Sequence, residues 1–414
     1  MIVRRPRVPL AILLLCAWAD HAAAQSAPTC SFDPATAAVT VTVNGQGAEL
    51  RAPVGTGEIL LDGVSCGGAT VFNTDAIQVN GSGFADAVTL AGKFAPGLTP
   101  EADGSSEIEI AFALGDGSDH VILNLTRNRD VLTFTSDGID VGNDLDRDIL
   151  TAGVEYITIR ARDGNDRIDA SAYTSMPPDG FTGLIELHGG TGQDTLIGSS
   201  VLQNWLHGDE DADRIYGGGV GDSLFGGPGD DLLIGRGGDD IFYTENSTAD
   251  GADDMRGGDG ADQVTYRGRA NGVTVTIGNG LADDGESGEG DNVSGDVEVV
   301  EGGHGPDVLV GTNAPNQLYG LQGDDELYGG GGNDILYGSL GNDIIIGDDG
   351  DDTLDGSHGD DFLDGGAGRD SFFGEYDNDT IYNADGVAEW VDCGAGTADD
   401  AEPDPLDTFT GCEL

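Results

Sequence analysis

The feature that most constrains the fold of this chain is a nine-residue repeat. Between positions 302 and 382 nine units follow one another without insertion or deletion, and GGGGNDILY, GSLGNDIII and GDDGDDTLD are typical of them. A glycine opens every unit, position eight is always apolar, and position six is aspartate in every unit except the second, which has Asn316. A fixed period of this length predicts one small structural unit that is repeated and stacked.

An earlier part of the chain has the same pattern. It begins with GGTGQDTLI at Gly189 and ends with GGDGADQVT at Thr265, with a short insertion before TADGADDMR. Weaker copies begin at Ala161, Leu114 and Gly81. Residues 266–301, which separate the two blocks, contain the strand-like VTVTIG and VEVV on either side of an acidic loop.

Each unit is expected to form a turn followed by a very short strand. A strand of about three residues around position eight is not stable alone, but parallel copies bury their position-eight side chains in one continuous core. The preceding turn needs glycine where the backbone takes positive φ and approaches its neighbours. The pattern therefore predicts an all-β solenoid, in which units n and n+2 lie above one another if two units make one coil.

Stacking of this kind places the position-six aspartates side by side. Carboxylates a few ångströms apart repel one another unless a cation lies between them. Carboxylates and turn carbonyls are hard oxygen ligands, and calcium accepts many protein oxygens in flexible geometry, whereas magnesium keeps its waters. Neither cysteine nor histidine occupies position six of the units, which argues against zinc there. The spacing thus favours multiple calcium ions.

The units resemble the GGxGxDxUx nonapeptide of the RTX, or hemolysin-type calcium-binding, repeat proteins of bacteria. The resemblance implies a right-handed parallel β-roll, a β-helix-like solenoid, with calcium held between successive turns by the position-six aspartate and turn carbonyls. Asn316, with Ala314 and Pro315 beside it, departs from the pattern, so the unit that starts at Gly311 is expected to bind weakly or not at all. Carried onto this sequence, the implied ligands are Asp194, Asp213, Asp222, Asp231, Asp240, Asp253, Asp262, Asp307, Asp325, Asp334, Asp343, Asp352, Asp361, Asp370 and Asp379.

Composition narrows the possible partners. The chain of 414 residues has 76 acidic and 17 basic residues, a formal net charge of -59 and 71 glycines. Nucleic acid and anionic lipid both need a cationic surface, so neither is an expected partner. Such acidity is also typical of disorder, unless cations neutralise the carboxylates.

Residues 1–24 are predicted to be a cleaved signal peptide, with a basic start, a short apolar run and small residues before Gln25. Four cysteines follow it, and an even number in an exported chain suggests disulfides. Of three possible pairings we favour Cys30–Cys66 and Cys393–Cys412, because each pair lies within one terminal region. No later stretch is apolar enough to predict a membrane span, so the protein is expected to be secreted by the general secretory route.

The remaining chain is divided on these grounds into five parts. Residues 25–155 have short β-branched runs and are predicted to be an N-terminal β-rich region. The first repeat block covers 156–265, the strand and acidic-loop insertion 266–301, and the second block 302–382. Residues 383–414 are predicted to be a disulfide-closed cap.

Other motifs carry less weight. The GVSCG at Gly63 fits a nucleophile elbow in letters, but a strand-like stretch follows it where a helix is required. Ser118, Asp119 and His120 are adjacent in sequence, unlike a catalytic triad.

The sequence does not decide the role of three further groups. His188, His207, His304 and His358 lie in or beside repeat turns and are expected to be exposed. The tyrosines that close or flank units, Tyr216, Tyr319, Tyr328, Tyr337 and Tyr382, are candidates for one aromatic strip that either packs or binds sugar. The loop 283–291 is either a calcium site without EF-hand spacing or a solvated loop.

These observations predict a secreted calcium-binding repeat protein with a structural or adhesive role, which folds on calcium binding outside the cytosol. A cell-surface or polysaccharide ligand is a possible partner. No catalytic motif is found, so the protein is not expected to be an enzyme. The alternative is an extracellular, for example polysaccharide-modifying, enzyme with an active site in the N-terminal β region.

Overall fold

The structure is a computed structural model, and it is described over the residues in which the repeats and most of the flanking strands lie. These are residues 27–34, 38–43, 47–52, 58–62, 64–70, 76–80, 87–92, 109–113, 120–125, 131–134, 138–141, 149–150, 154, 156–173, 183–244, 251–383, 386–396, 399–402 and 406–412. The predicted signal peptide, residues 1–24, lies outside them. The described residues contain strands, turns and bends but no helix, and therefore no helix that could cross a membrane.

The strands are short and follow one another along the whole chain. Those before the first repeat block are β1 (Thr29–Asp33), β2 (Ala38–Thr42), β3 (Gly47–Ala52), β4 (Glu58–Leu61), β5 (Val64–Thr70), β6 (Ala76–Asn80), β7 (Ala87–Gly92), β8 (Glu109–Ala113), β9 (His120–Asn124), β10 (Val131–Phe134), β11 (Gly138–Val141) and β12 (Ile149–Leu150). Those of the first block are β13 (Tyr156–Asp163), β14 (Arg167–Asp169), β15 (Leu184–Thr191), β16 (Thr195–Ile197), β17 (Gln203–Glu210), β18 (Arg214–Tyr216), β19 (Ser223–Phe225), β20 (Leu232–Gly237), β21 (Ile241–Tyr243), β22 (Asp254–Asp259) and β23 (Gln263–Thr265).

The later strands continue in the same manner. The insertion contributes β24 (Val273–Thr276), β25 (Gly285–Glu286), β26 (Asn292–Val293) and β27 (Val299–Glu301). The second block contributes β28 (Val308–Val310), β29 (Gln317–Gln322), β30 (Glu326–Gly331), β31 (Ile335–Leu340), β32 (Ile344–Asp349), β33 (Thr353–His358), β34 (Phe362–Asp364), β35 (Ser371–Phe373) and β36 (Thr380–Tyr382). The C-terminal part contributes β37 (Trp390–Asp392), β38 (Asp400–Glu402) and β39 (Thr408–Thr410).

In the two repeat blocks, successive strands alternate between two faces of a solenoid and pair in parallel with the strand one coil away, whereas the N-terminal region also has antiparallel pairs such as β1–β2 and β10–β11. One face is a single sheet that runs from β13 through both blocks to β39. The opposite face is made by two sheets, one that ends at β26 and one that begins at β24 and ends at β38. The predicted fold class, an all-β parallel roll, is confirmed.

The strand register gives the length of each coil. In the second block Leu309 pairs with Leu327 and Leu318 with Leu336, so one coil is made of two nonapeptides. The prediction that units n and n+2 lie above one another is therefore confirmed. Pairing between strands places equivalent residues of adjacent coils about 4.8 Å apart.

The N-terminal β-rich region forms the first coils of the same solenoid. Its parallel pairs include Ala38 with Ala76 and Ala87 with His120, and the pairing passes from β9 directly into β13. These register partners are further apart in sequence than two nonapeptides, and their separations differ, so the first coils are longer and less regular than those of the repeats. The sequence patterns indicated strands there but not this continuity.

The core is built from two facing rows of inward side chains, one from each face, which are the position-eight residues of the repeat. All nine position-eight residues of the second block, from Leu309 to Ile381, are at most 1% exposed. Each fully buried aliphatic or aromatic side chain contributes about 1.5–3 kcal/mol of hydrophobic stabilisation. Stacking thus gives these very short strands the core that none could form alone.

The insertion 266–301 is where one sheet of the second face gives way to the next. Its acidic loop forms a small antiparallel turn in which β25 pairs with β24. The guanidinium of Arg269, only 1% exposed, donates to Glu289 at 2.5 Å, and the Tyr266 hydroxyl donates to Asp291 at 3.0 Å. The loop is therefore held by buried polar contacts, while Asp283, Ser287 and Gly288 are exposed.

Both predicted disulfides are confirmed. The Cα atoms of Cys30 and Cys66 are 5.3 Å apart and those of Cys393 and Cys412 are 5.0 Å apart, and both pairs are bonded. The second bond joins two further coils, because β37 and β39 continue the sheet that passes through both blocks.

Candidate metal centres

The position-six aspartates are stacked one coil apart along the turns that precede the strands. The backbone N–H of Asp307 donates to Oδ1 of Asp325, and that of Asp325 donates to Oδ1 of Asp343, both at 2.8 Å. The same bond joins Asp343 to Asp361 at 2.8 Å and Asp361 to Asp379 at 3.0 Å. We call such a row of backbone-bonded acidic residues an aspartate ladder.

All fifteen residues predicted as ligands lie in four aspartate ladders, two in each block. The first-block ladders contain Asp194, Asp213, Asp231 and Asp253 in one and Asp222, Asp240 and Asp262 in the other. The second-block ladders contain Asp307, Asp325, Asp343, Asp361 and Asp379 in one and Asp334, Asp352 and Asp370 in the other. The structure thus brings these residues together, and their role as calcium ligands stays a prediction.

Most ladder carboxylates have one oxygen that no hydrogen bond satisfies. While Oδ1 accepts the backbone N–H of the previous coil, Oδ2 is buried without a hydrogen-bond partner. The ten predicted ligands with this arrangement are Asp194, Asp213, Asp240, Asp262, Asp325, Asp334, Asp343, Asp352, Asp361 and Asp379. A buried carboxylate oxygen without a partner is costly, so ten in register point to an occupant of opposite charge.

The opening glycine of each unit makes room for this oxygen. A Cβ placed on Gly329 would lie 2.6 Å from Oδ2 of Asp334 and 2.7 Å from the carbonyl oxygen of Gly347, one coil further on. Only a residue without a side chain leaves the carboxylate and the next coil's carbonyl facing the same space. Two kinds of oxygen that suit calcium therefore meet at this point.

Position five forms a second row of bonds in the opposite sense. The N–H of Asn342 donates to Oδ1 of Asp324 at 2.9 Å, so the earlier coil supplies the acceptor. At position six the later coil supplies it, since Asp343 accepts from the N–H of Asp325. Adjacent coils are thus bonded reciprocally through neighbouring residues, which holds the position-six carboxylates in register.

Three of the units that the structure fully describes have a different turn, in which the position-six side chain accepts a hydrogen bond from its own unit. Oδ2 of Asp222 accepts the N–H of Gly218 at 2.5 Å, and Oδ2 of Asp307 accepts that of Gly303 at 2.6 Å. In the unit that lacks an aspartate, Oδ1 of Asn316 accepts the N–H of Thr312 at 2.7 Å. We call these closed turns. Asp222 and Asp307 are both among the predicted ligands. In each of them, both carboxylate oxygens accept hydrogen bonds from backbone N–H groups.

The backbone conformation at position two distinguishes the two kinds of turn. In the units with an unpartnered carboxylate oxygen this residue has positive φ, even where it is not glycine, as at Ser339 with 82° and Asp348 with 69°. Gly218, Gly303 and Thr312, the position-two residues of the closed turns, do not. Positive φ turns the position-two N–H away from the carboxylate, and this leaves Oδ2 open.

The ladders extend beyond the predicted ligands. Asp166 precedes Asp194, while Asp291, Glu298 and Asp399 each follow the last predicted aspartate of a ladder. Asp166 is position six of the weak copy that begins at Ala161, so the repeat pattern carried its signal. The other three lie outside the nine-residue spacing, and no sequence signal marked them.

Burial and neighbouring acids raise the pKa of several ladder carboxyl groups. Burial and the charges of Asp361 and Asp325 raise the pKa of Asp343 to about 7, although the hydrogen bond from the Asp325 backbone opposes the shift. Burial and the neighbouring acids likewise raise the pKa of Asp213 to about 8, against the bond from the Asp194 backbone. A positive ion beside these oxygens would reverse the effect.

The histidines differ from expectation. His304 and His358 are exposed as predicted, but His188 and His207 are half-buried, which corrects the prediction for these two. Their rings stack at 4.4 Å, and the stack continues from His207 to Phe225 and Tyr243 at 4.2 and 4.4 Å. No sequence signal marked this row, because its members meet only through the strand register.

The five tyrosines do not form one strip. Tyr319 and Tyr337 stack at 5.1 Å on the continuous face, whereas Tyr216, Tyr328 and Tyr382 lie on the two other sheets. Ser65 of the GVSCG motif lies in β5, which continues as a strand to Thr70, so a helix does not follow it. Ser118 and Asp119 lie outside the described residues.

Fold and ladders together define a parallel β-roll that presents rows of carboxylates and backbone carbonyls between its coils. The family model for the RTX calcium-binding nonapeptide repeat matches residues 186–200, 203–246, 247–265 and 301–387. The repeat region of this chain is therefore made of RTX calcium-binding nonapeptide repeats, which support a calcium-binding repeat protein. No curated protein matches it.

Proposed function

We propose that the aspartate ladders bind calcium and that this binding is what allows the roll to fold. The observation that carries the proposal is the set of ten buried carboxylate oxygens without a hydrogen-bond partner. Their donor set is carboxylate and carbonyl oxygen, which is the set that calcium prefers. When bound, the ion supplies the positive charge that the stacked carboxylates lack.

We call a turn open when Oδ2 of its position-six aspartate is buried without a hydrogen-bond partner. The residues that would hold calcium are those of the open turns. Each offers Oδ2 of position six, beside the opening glycine of its own unit and the carbonyl of the next coil, as Asp334, Gly329 and Gly347 illustrate. The closed turns at Asp222 and Asp307 offer no open oxygen of this kind and are proposed not to bind.

The test is the calcium dependence of folding in the full chain. Circular dichroism is expected to change from coil to strand as calcium is added and to reverse with chelator, while magnesium at equal concentration has little effect. A site with a Kd ten times below the calcium concentration adds about 1.4 kcal/mol of stability. Full strand content in excess chelator, together with no calcium uptake in equilibrium dialysis, would contradict the proposal.

We further propose that the protein is secreted and acts in a structural or adhesive role, as a binding protein and not as an enzyme. Two disulfides support an oxidising compartment outside the cytosol. The net charge of -59 supports calcium-rich surroundings, where the roll can fold. The solenoid supports adhesion because it presents long faces of regularly spaced exposed side chains.

Localisation and binding are tested separately. Fractionation of expressing cells is expected to recover the protein in the medium without free thiols. Binding to cells and to a panel of polysaccharides is then measured with and without calcium, and adhesion is expected only with it. Hydrolysis or cleavage of a polysaccharide in that panel would favour the enzymatic alternative.

A further inference from the structure

A group of one carboxylate and two imidazoles lies on the continuous sheet, apart from the aspartate ladders. Glu186 and His188 occupy alternate positions of β15 and therefore share a face. His207 on β17 is the register partner of His188. One ligand atom from each of the three side chains lies within 4.8 Å of the others, and all three residues are half-buried.

Other groups fix the orientation of two members. Nε2 of His188 is 3.1 Å from Oε1 of Glu186, and its Nδ1 is 3.5 Å from Oδ2 of Asp209. The hydroxyl of Thr158, 1% exposed, donates to Oε2 of Glu186 at 2.7 Å. A ligating histidine whose second nitrogen faces a carboxylate, and a ligating carboxylate that is itself hydrogen-bonded, are the usual surroundings of a protein metal ion.

The third member has an unused ligand atom. Nε2 of His207 is buried and has no hydrogen-bond partner. A buried nitrogen of this kind is costly unless something binds it. The side of its ring away from His188 packs on Phe225, whose ring centre is 4.2 Å away, so the histidine is held in the sheet row and cannot turn out freely.

We propose that Glu186, His188 and His207 bind one divalent first-row transition metal ion, with zinc the expected ion. Two imidazoles and one carboxylate are a ligand set that zinc accepts readily, with a fourth position left for water. Calcium binds through oxygen and does not select imidazole, so this site and the ladders would take different ions.

Binding requires a modest rearrangement of the rings. The planes of His188 and His207 are within 6° of parallel, so the nitrogen lone pairs, which lie in the ring planes, do not yet converge on one point. A tilt about χ2, which is a broad torsion in histidine, brings them together. Without a metal, the contacts of His188 with Glu186 and Asp209 are those of a protonated imidazole between two carboxylates. The following experiment distinguishes such an ion pair from a metal site.

The test is a zinc titration of the full chain by isothermal calorimetry in millimolar calcium, so that the ladders are filled and the roll is folded. One zinc ion per chain is expected. His207→Ala and His188→Ala are expected to weaken it at least tenfold, and Thr158→Val and Asp209→Asn by about 10- to 100-fold. The matched control is His304→Ala, which removes an exposed histidine of the second block and is expected to change nothing.

Trp205 gives a readout that does not depend on heat. It is the register partner of Glu186 on the neighbouring strand, so copper(II) or nickel(II) at the site is expected to quench its fluorescence. Quenching is expected to disappear in His207→Ala and, should that variant lose its strand spectrum, in Glu186→Gln. Zinc binding or quenching that is equal in the original chain and in a folded His207 or Glu186 variant would overturn the proposal.

Discussion

At the scale of single residues, what matters is whether a carboxylate oxygen is left open. Asp343 and Asn316 are at equivalent positions, and each side chain accepts one short backbone N–H bond, at 2.8 and 2.7 Å. They differ in that Oδ2 of Asp343 is buried without a partner, while Asn316 belongs to a closed turn. Calcium affinity is therefore expected to distinguish them.

Asp343→Ala is expected to remove at least one calcium ion and to raise the calcium concentration at the midpoint of the strand signal. Asn316→Ala loses a comparable hydrogen bond but no open oxygen, so its calcium stoichiometry is expected to stay unchanged. Equilibrium dialysis with the two variants measures this difference. Equal loss of calcium from both would contradict the assignment of the open turns.

The opening glycine gives a second prediction at this scale. Gly329→Ala places a methyl group 2.6 Å from Oδ2 of Asp334, which forces the carboxylate away from the next coil. Weaker calcium binding, by about tenfold or 1.4 kcal/mol, is expected in a calorimetric titration.

Gly331→Ala is the matched control, because it lies in the same strand and its Cβ would meet only Asn313, at 3.3 Å. Neither Gly329 nor Gly331 has positive φ, so backbone strain does not separate the two. Calcium affinity that is reduced equally in both variants would show that the cause is the lost glycine and not the crowded carboxylate.

At the scale of elements, the insertion 266–301 lets one solenoid change sheets without an interruption of the core. The face through β27 and β29 continues, while β24 starts the sheet that serves the second block. The turn around β25, which lies at this change, is held by the buried Arg269–Glu289 pair.

Removal of one partner of that pair is expected to destabilise the junction strongly. Arg269→Ala leaves Glu289, whose side chain is 6% exposed, without this cation, and the expected loss is about 3–5 kcal/mol in the free energy of unfolding. Arg267→Ala is the comparison, since that side chain is 61% exposed and pairs with Glu301 at 3.4 Å. Its expected cost is under about 1 kcal/mol.

Denaturant unfolding of the calcium-loaded chain measures both variants. A loss in Arg269→Ala no larger than that in Arg267→Ala would mean that the buried pair does not hold the junction.

At the scale of the whole molecule, the ladders couple folding to pH as well as to calcium. Without calcium, burial and neighbouring acids raise the pKa of Asp194, Asp325 and Asp352 to about 7, above the ordinary value near 4. The folded state then holds more protons than the unfolded state between these values. The stability that these groups contribute is present at low pH and is lost as the pH rises through about 7.

Calcium-depleted protein is therefore expected to retain more strand structure at pH 5 than at pH 8, as measured by circular dichroism. Calcium-saturated protein is expected to show the opposite slope, because protons compete with the ion for the same carboxylates. Strand content in depleted protein that rises with pH would contradict this account.

The sequence by itself determined the repeat unit and the core, because a period of nine fixes which side chains point inward. It gave the coil of two units only as a condition, which the strand register then met. With that coil length, Leu309 and Leu327, or Asp325 and Asp343, are neighbours because they lie two units apart. The two disulfides could also be predicted from the sequence, since each pair of cysteines lies within one terminal region.

The tertiary structure alone decided which aspartates keep an open oxygen. Asp222 and Asp307 have the same glycine-rich surroundings in sequence as open units, yet their turns are closed. Each is the first aspartate of its ladder. The equivalent place one coil earlier is occupied by Asn204 in one ladder and by Val273 in the other. The conformation of a turn depends on the coil beneath it, and a local pattern does not contain that neighbour.

The same reason explains the continuous sheet and the Glu186–His188–His207 group. The separation of His188 and His207 is one position longer than two nonapeptides, so they become neighbours only because β15 and β17 pair in that register. The N-terminal coils have no constant length, so their strands could be predicted but not their pairing with the repeats. A repeat encodes contacts at its own period, whereas contacts at any other separation are settled by the packing of whole coils.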